Sequence, residues 1–234
     1  RIFVNSMSDL FHEALPDEVL DRIFAVMALA PRHVFQVLTK RPERMRAYCD
    51  DSRRRVAVAG EIRRTGEKGG VSNLLSADME AYLTWPLPNV WAGVSVEDQA
   101  TADARISLLL QTPATVRFVS YEPALGQVDF ASLLCDNPGH ATNQPCRSES
   151  STPFWLIVGG ESGPRARPCD LAWIRAVVAQ CKVAGVPVFV KQLGTNPVDH
   201  GWPVHLTDSK GGDPDQWPAE LRVRQFPTPR VLPQ

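Results

Sequence analysis

Six short runs of apolar, mostly β-branched or aromatic residues recur along the chain, and each run ends abruptly in polar residues. The runs cover residues 2–4, 34–38, 90–94, 116–119, 155–158 and 186–190. Such near-continuous hydrophobicity is typical of strands that are covered on both faces, as in a parallel sheet flanked by helices. The pattern therefore predicts six buried parallel strands.

Segments with helical periodicity lie between several of these runs. After Pro16, apolar side chains at positions 20, 23, 24 and 27 fall on one face of a helix. Residues that favour helix ends mark three further helices: Pro42 in a first turn, Ser95 and Asp98 at the spacing of a capping box, Asp170 as an N-cap and Gly185 as a C-cap. Strand and helix thus alternate along the chain.

This alternation implies right-handed β-α-β crossovers, and therefore either a closed parallel β/α barrel or an open, doubly wound sheet. Six strand ends of similar character favour the barrel, an α/β fold. We assign the barrel body to residues 1–194, with surface insertions at 51–86 and 135–153, where the alternation is interrupted. Residues 195–234 are rich in proline and show little periodicity, so we predict an irregular C-terminal extension packed on the barrel.

Charge and cysteine spacing exclude several classes of protein. The formal net charge of -1 provides no global field that would attract nucleic acid or an anionic membrane, so a nucleic-acid contact would need a local basic patch. The chain has no apolar run long enough to span a bilayer and no secretory signal, and we expect a cytoplasmic location. The five cysteines are widely spaced, which predicts free thiols and no metal site; a loop with Cys135, His140 and Cys146 is the remaining metal candidate.

The candidate chemistry lies directly after the predicted strands. In a parallel barrel the C-terminal ends of all strands open onto one face, so polar residues there are predicted to converge on one pocket. These residues carry charges of both signs or amide groups: Asn5 and Asp9, Lys40 and Arg41, Glu97, Glu122, Glu161, and Lys191 and Gln192. Such a mixture suits a polar or phosphorylated ligand.

Three of these groups have specific alternatives. Glu122 and Lys191 are candidates for an acid, a base or a ligand anchor, or else they form an interior ion pair. Lys40 and Arg41 precede a predicted helix and suit an anion at its N-terminus, or else they are a solvated basic pair.

The segment Gly159-Gly160-Glu161-Ser162 is a predicted ligand-binding turn. Adjacent glycines allow the backbone to approach a ligand closely, and Glu161 would bind an amino or hydroxyl group. The alternative is a tight turn with no ligand, because glycine pairs are common in turns.

Taken as a series, the strand-end motifs resemble one known family. The motifs are FVNSMSDLFH at residues 3–12, QVLTKRP at 36–42, GVSVE at 93–97, VSYEP at 119–123, VGGESG at 158–163, VKQLG at 190–194, KGGDP at 210–214 and WP at 217–218. This series is similar to the phage Gp-thirty-seven/Gp-sixty-eight family, also described as three-Cys-motif proteins.

The resemblance implies a radical-SAM-like β/α barrel that lacks its first strand in this chain. It also implies S-adenosylmethionine as co-substrate and a [4Fe-4S] cluster held by three cysteines, which belong upstream of the segment that matches Arg1. None of the five cysteines matches that motif. We therefore expect no cofactor on this chain itself, and both cofactors in a full-length protein.

Two functional hypotheses follow. In the first, the chain is the body of a phage- or prophage-associated radical-SAM-like enzyme, whose strand-end residues bind S-adenosylmethionine and a polar substrate. In the second, it is a cofactor-free barrel that binds a phosphate-bearing small molecule or a nucleic-acid end with the same residues. Neither hypothesis specifies a protein partner.

Overall fold

The structure, a computed structural model, describes residues 1–5, 8–68, 83–133 and 154–228. The predicted insertion at 135–153, together with its candidate metal loop, lies outside the described residues. The described chain forms two compact units by its internal contacts. The first consists of Arg1–Gly93 and Leu108–Val116, and the second consists of Val94–Ser107 and the chain from Arg117 onward.

The six predicted strands are confirmed. They are β1 (Ile2–Val4), β2 (Phe35–Thr39), β3 (Val90–Val96), β4 (Val116–Tyr121), β5 (Phe154–Gly159) and, after a short β6 (Cys169–Asp170) in another sheet, β7 (Val188–Gln192). The six hydrogen-bond in the order β1-β2-β3-β4-β5-β7, and the registers of β1–β2, β4–β5 and β5–β7 are parallel. Their burial, nearly complete in β3, agrees with the continuous hydrophobicity of the sequence.

The sequential strand order decides between the two topologies that the alternation allowed. A doubly wound sheet contains a point where the strand order reverses, whereas a β/α barrel adds each new strand on the same side of the last. No reversal occurs among the described strands. The chain therefore has an α/β fold with a six-stranded parallel sheet, and its topology is that of a partial β/α barrel.

The helices begin and end largely where the capping signals predicted. The α-helices in the described residues are α1 (Asp17–Ala28), α2 (Pro42–Asp50), α3 (Arg53–Lys68), α4 (Gln99–Gln111), the single turn α5 (Phe130–Leu133) and α6 (Leu171–Ala184). Pro42 is the first residue of α2, and the Asp170 carboxylate accepts a hydrogen bond from the Ala172 N–H at 2.9 Å at the start of α6. Gly185 ends α6 with a left-handed φ of 67°.

One predicted cap is wrong. Ser95 lies within β3 and is buried, so it caps no helix. The start of α4 is instead held by Asp98, whose carboxylate accepts from the Thr101 N–H at 2.9 Å. The Thr101 hydroxyl in turn accepts from the N–H groups of Glu97 and Asp98, at 2.9 and 3.0 Å. Strand β3 extends two residues beyond its apolar run, so the cap of α4 lies at Asp98 instead of Ser95.

Part of the segment predicted as a surface insertion packs into the first unit. Residues 53–68 form α3, which contacts α1 and buries Val58 and Ile62. The Tyr48 hydroxyl donates to the buried Asp21 carboxylate at 2.9 Å, and Arg54 lies 3.3 Å from the same carboxylate. Burial and this neighbouring carboxylate raise the pKa of Tyr48. The assignment of residues 51–86 as an insertion stays a prediction.

The C-terminal extension is not wholly irregular. Two strands that the sequence did not predict, β8 (Pro197–Asp199) and β9 (Trp202–Pro203), form a small sheet with β6. Further on, Trp217 is buried, and its indole N–H donates to the Gly211 carbonyl at 3.0 Å. Arg175 of α6 forms a bidentate ion pair with Asp199, at 2.6 and 2.8 Å, so the extension is also held by charge.

None of the helices in the described part of the chain combines the length and hydrophobicity that crossing a membrane requires. The cytoplasmic location stays a prediction.

Candidate functional site

The residues predicted to line the strand ends fall into two groups, one in each compact unit. Asn5, Asp9, Lys40 and Arg41 belong to the first unit. The second unit contains the other candidates, which are Glu97, Glu122, Gly159, Gly160, Glu161, Ser162, Lys191 and Gln192. The convergence of both groups on one pocket stays a prediction, and so do their ligand-binding roles.

In the first unit, Asp9 is the centre of a saturated hydrogen-bond cluster. Its carboxylate accepts from the Phe11 N–H at 2.9 Å, the Thr39 hydroxyl at 2.7 Å, the Lys40 N–H at 3.0 Å and the Arg41 guanidinium at 3.0 Å. Burial opposes the charged form, but these hydrogen bonds outweigh it and lower the pKa of Asp9. The carboxylate therefore joins the end of β2 to the loop that follows β1.

Arg41 is held by two carboxylates. Its guanidinium donates to Asp9 at 3.0 Å and to Glu13 at 2.9 Å, and the hydrogen bond to Glu13 is the main cause of its raised pKa. An incoming anion would have to compete with both. Asn5 follows β1 with a left-handed φ of 58°, and its carbonyl accepts from the Ser8 N–H at 3.3 Å. These contacts favour a scaffolding role for Asp9 and Arg41.

In the second unit, Glu122 and Lys191 form the predicted ion pair. Glu122 directly follows β4, and Lys191 is the penultimate residue of β7. The Lys191 ammonium donates to Glu122 Oε2 at 3.1 Å, and the Ser120 hydroxyl donates to the same oxygen at 3.1 Å. The Glu122 side chain is 15% exposed and that of Lys191 is 55% exposed. The pair is thus buried on the carboxylate side and accessible on the ammonium side.

The second carboxylate oxygen of Glu122 differs from every other acceptor described above. Among the described residues, Glu122 Oε1 is buried and has no hydrogen-bond partner. It lies against Gly159, where an added Cβ would be 2.7 Å from it and 3.0 Å from the Gln192 carbonyl oxygen. Gly159 therefore leaves room for the Glu122 carboxylate. A buried acceptor without a donor costs about 1 to 3 kcal/mol, so such groups are uncommon in native proteins and call for a functional or structural reason.

Glu161 is engaged within its own loop. Its carboxylate accepts from the Arg167 guanidinium at 2.8 and 3.0 Å and from the Arg167 N–H at 2.9 Å. These hydrogen bonds lower the pKa of Glu161 to about 2. Because Arg167 occupies both oxygens, Glu161 joins the two ends of the 161–167 loop, and a ligand would have to displace Arg167 to bind it.

Close packing requires glycine at two positions beside this loop, Gly160 and Gly194. A Cβ at Gly160 would overlap the Leu193 carbonyl group, and a Cβ at Gly194, whose φ is 86°, would be 2.7 Å from the Glu161 carbonyl oxygen. The Gly160 N–H donates to the Gln192 carbonyl at 3.0 Å, and the Gln192 amide returns a bond to the Gly160 carbonyl at 3.0 Å. These glycines bring the chain after β5 close to the chain after β7. Ser162, which follows Glu161, is exposed.

Glu97, directly after β3, completes a row of carboxylate–cation pairs at strand ends. Its carboxylate lies 3.0 Å from the Arg105 guanidinium, and the pair is largely buried. The hydrogen bonds that Arg167 donates to Glu161 are the main cause of the raised pKa of Arg167, and the charge of Glu97 also contributes to it. Each of the three acidic residues thus has a cationic partner nearby. The resulting surface carries both signs of charge, which suits a ligand with several polar groups.

The sequence did not predict the contacts that three residues make with these carboxylates: Ser120, Arg105 and Arg167. Ser120 lies two residues before Glu122, so its side chain falls on the same side of the strand, and this signal was readable. Arg105 and Arg167 lie in a helix and in a loop, where neither spacing nor residue type announces a partner. Their roles follow from three-dimensional contacts alone.

The described cysteines do not resemble cluster ligands. Cys49, Cys169 and Cys181 are free and buried, and burial raises the pKa of each thiol to about 12. Within the described residues, no group of three or more His, Cys, Asp or Glu side chains is arranged to hold a metal ion. These residues therefore do not fit a [4Fe-4S] cluster, which needs several thiolates, and no reaction step is assigned to one.

Together, the fold and these pairs define a class: an α/β protein of partial β/α-barrel topology with paired charges at the C-terminal ends of its strands. Residues 1–216 match the family model described as Protein of unknown function (DUF5131), and the chain belongs to that family. No curated protein and no solved structure matches the chain.

Proposed function

We propose that the chain is the body of a radical-SAM-like enzyme, phage- or prophage-associated, whose strand-end residues in the second unit bind S-adenosylmethionine. The observation that carries this proposal is the buried, unpartnered oxygen of Glu122 beside the accessible ammonium of Lys191. The pair follows the C-terminal end of one parallel strand and lies at the end of another, where β/α-barrel enzymes hold their active sites.

The chemistry of the pair supports a ligand with both donor and acceptor groups. Glu122 has unused acceptor capacity, which an ammonium or hydroxyl group of a ligand would fill. Lys191 has three donors and makes one described ion pair, with Glu122, so its ammonium also suits an anionic ligand group. S-adenosylmethionine has ribose hydroxyls, an ammonium group and a carboxylate. In this proposal Glu122 and Lys191 bind and orient it.

A cofactor-free barrel that binds a phosphate or a nucleic-acid end is the alternative. It would use the same strand-end residues, among which Lys40 and Arg41 are the predicted anion site, and the Arg41 guanidinium is already paired with Asp9 and Glu13. The net charge of -1 also gives no general attraction for a polyanion. These observations favour the first function over the second.

Calorimetric titration separates the two functions. In the full-length protein, the wild type should bind S-adenosylmethionine, and Glu122→Gln should weaken that binding about tenfold or more, because a charge-assisted hydrogen bond contributes about 1.5 to 3 kcal/mol. Glu220→Gln is the matched control, since it removes another ion-paired glutamate, the exposed partner of Arg175, and should leave the affinity unchanged. Heat with inorganic phosphate or a short oligonucleotide, and none with S-adenosylmethionine, would establish the alternative.

A further inference from the structure

The main chain on both sides of Lys191 is held by the C-terminal extension. The Val190 N–H donates to the Val223 carbonyl at 2.8 Å, and the Leu193 N–H donates to the Gly211 carbonyl at 2.8 Å. Residues of the extension therefore pair with β7 immediately before the lysine and with Leu193, two residues after the lysine and just beyond the strand. This pairing leaves β7 with hydrogen-bond partners on both sides, because its other edge pairs with β5.

Arg224 adds a third contact at the lysine itself. Its guanidinium donates to the Lys191 carbonyl at 3.4 Å and to the Gly212 carbonyl at 3.2 Å. The same group lies 5.5 Å from the centre of the Phe189 ring and 5.2 Å from that of the buried Trp217 ring. Both distances lie within the range of cation–π attraction. Arg224 thus connects the extension to the strand that carries Lys191.

We propose that Arg224 is a positioning residue for the Glu122–Lys191 pair. The residues Gly211, Val223 and Arg224, which we call the tail clamp, fix the backbone from which the Lys191 side chain extends. The 3.1 Å ion pair depends on the position of that backbone. If the backbone at Lys191 becomes mobile, the long lysine side chain samples more conformations, and forming the pair costs more conformational entropy. Two of the three residues follow residue 216, the last residue that the family model matches.

This inference rests on the proposed function for its effect on ligand affinity, but its structural part is independent of any ligand. A lysine held in an ion pair acylates more slowly than a mobile one, because its nitrogen must leave the carboxylate before it can attack. The rate at which acetic anhydride modifies Lys191, followed by peptide mass spectrometry, therefore reports how well the pair is held.

Arg224→Gln should raise the acetylation rate of Lys191 about two- to fivefold, the factor that corresponds to losing the cation–π contacts of an exposed arginine. Arg224→Lys should raise the rate less, because an ammonium can still make a cation–π contact but lacks the planar group that also donates to the Lys191 and Gly212 carbonyls. Arg222→Gln is the matched control: that guanidinium donates to the Asp215 and Trp217 carbonyls inside the extension, and its loss should leave the rate unchanged.

A double-mutant cycle provides the second measurement. Arg224→Gln should weaken binding of S-adenosylmethionine by a similar factor in the wild-type background and have no effect in a Lys191→Met background, because Arg224 acts through the lysine. An unchanged acetylation rate in folded Arg224→Gln, or an equal rise in Arg222→Gln, overturns the inference. If the wild type fails to bind S-adenosylmethionine while the acetylation rates behave as expected, the proposed function fails and the positioning role stands.

Discussion

Asp9→Asn should destabilise the protein strongly, although sequence reasoning placed Asp9 in a binding site. The carboxylate accepts four hydrogen bonds, two on each oxygen. Asparagine keeps one acceptor oxygen and replaces the other by an amide NH2. If the retained oxygen faces Phe11 and Thr39, the NH2 group faces two donors, the Lys40 N–H and the Arg41 guanidinium, and cannot accept from either.

The expected loss follows from these two contacts. Leaving a partly buried donor without its acceptor costs about 1 to 3 kcal/mol, and hydrogen bonds that involve charged groups lie at the upper end. Arg41 retains Glu13 as a partner, so part of its loss is recovered. We therefore expect the free energy of unfolding to fall by about 2 to 4 kcal/mol.

The pH dependence should change as well. The pKa of Asp9 is lowered in the folded protein, so its ionisation stabilises the fold fully above the unfolded pKa of about 3.9. This contribution is lost as the pH falls through the lower, folded pKa. In Asp9→Asn no such loss can occur at this position. The difference in stability between wild type and variant should therefore shrink as the pH falls below about 4.

Urea denaturation at neutral pH and at pH values below 4 measures both effects. Glu13→Gln is the matched control, because it removes the exposed carboxylate that pairs with the same arginine, Arg41, and should change the urea midpoint little. A loss of ligand binding in Asp9→Asn with an unchanged urea midpoint would refute this reasoning. Asp9 would then be a ligand residue, as the sequence suggested.

Two further variants test the second unit. In Glu161→Gln the Arg167 amide should exchange its hydrogen faster than in wild type at about pH 5. The difference should fall to about half near pH 2, where about half of wild-type Glu161 is protonated, and should vanish at still lower pH. Equal exchange in the two proteins at pH 5 would show that the pair does not hold the loop. Gly160→Ala should lower the free energy of unfolding by about 3 kcal/mol or more, because its Cβ would overlap the Leu193 carbonyl. The control is Gly126→Ala, whose Cβ would meet no atom closer than 3.9 Å. It should lower the free energy of unfolding by under about 1 kcal/mol in the same urea titration. A mild effect at Gly160 would mean that the chain after β7 can move away.

The strands and most helix ends were predictable because their signals are local. A strand covered on both faces must be apolar along its whole length, and Asp170 and Gly185 cap their helix by bonds to residues close in sequence. The missed features depend on distant partners. Helix α3 has a polar composition overall and is buried on one side by its contact with α1, and β8 and β9 have only three and two residues.

The same distinction between local signals and distant partners applies to the candidate site. Asp9, Glu122 and Glu161 each follow a strand and are chemically almost identical, so residue type cannot rank them as ligand acceptors. An ionised carboxylate offers about four acceptor positions. Asp9 uses four and Glu161 uses three, whereas both donors to Glu122 share one oxygen. The difference depends on the neighbouring residues: Thr39 donates to Asp9 and Arg167 donates to Glu161, whereas Gly159 lies against Glu122 Oε1 and provides no donor. Unused hydrogen-bond capacity, and not charge or position, therefore makes Glu122 the acceptor to test first.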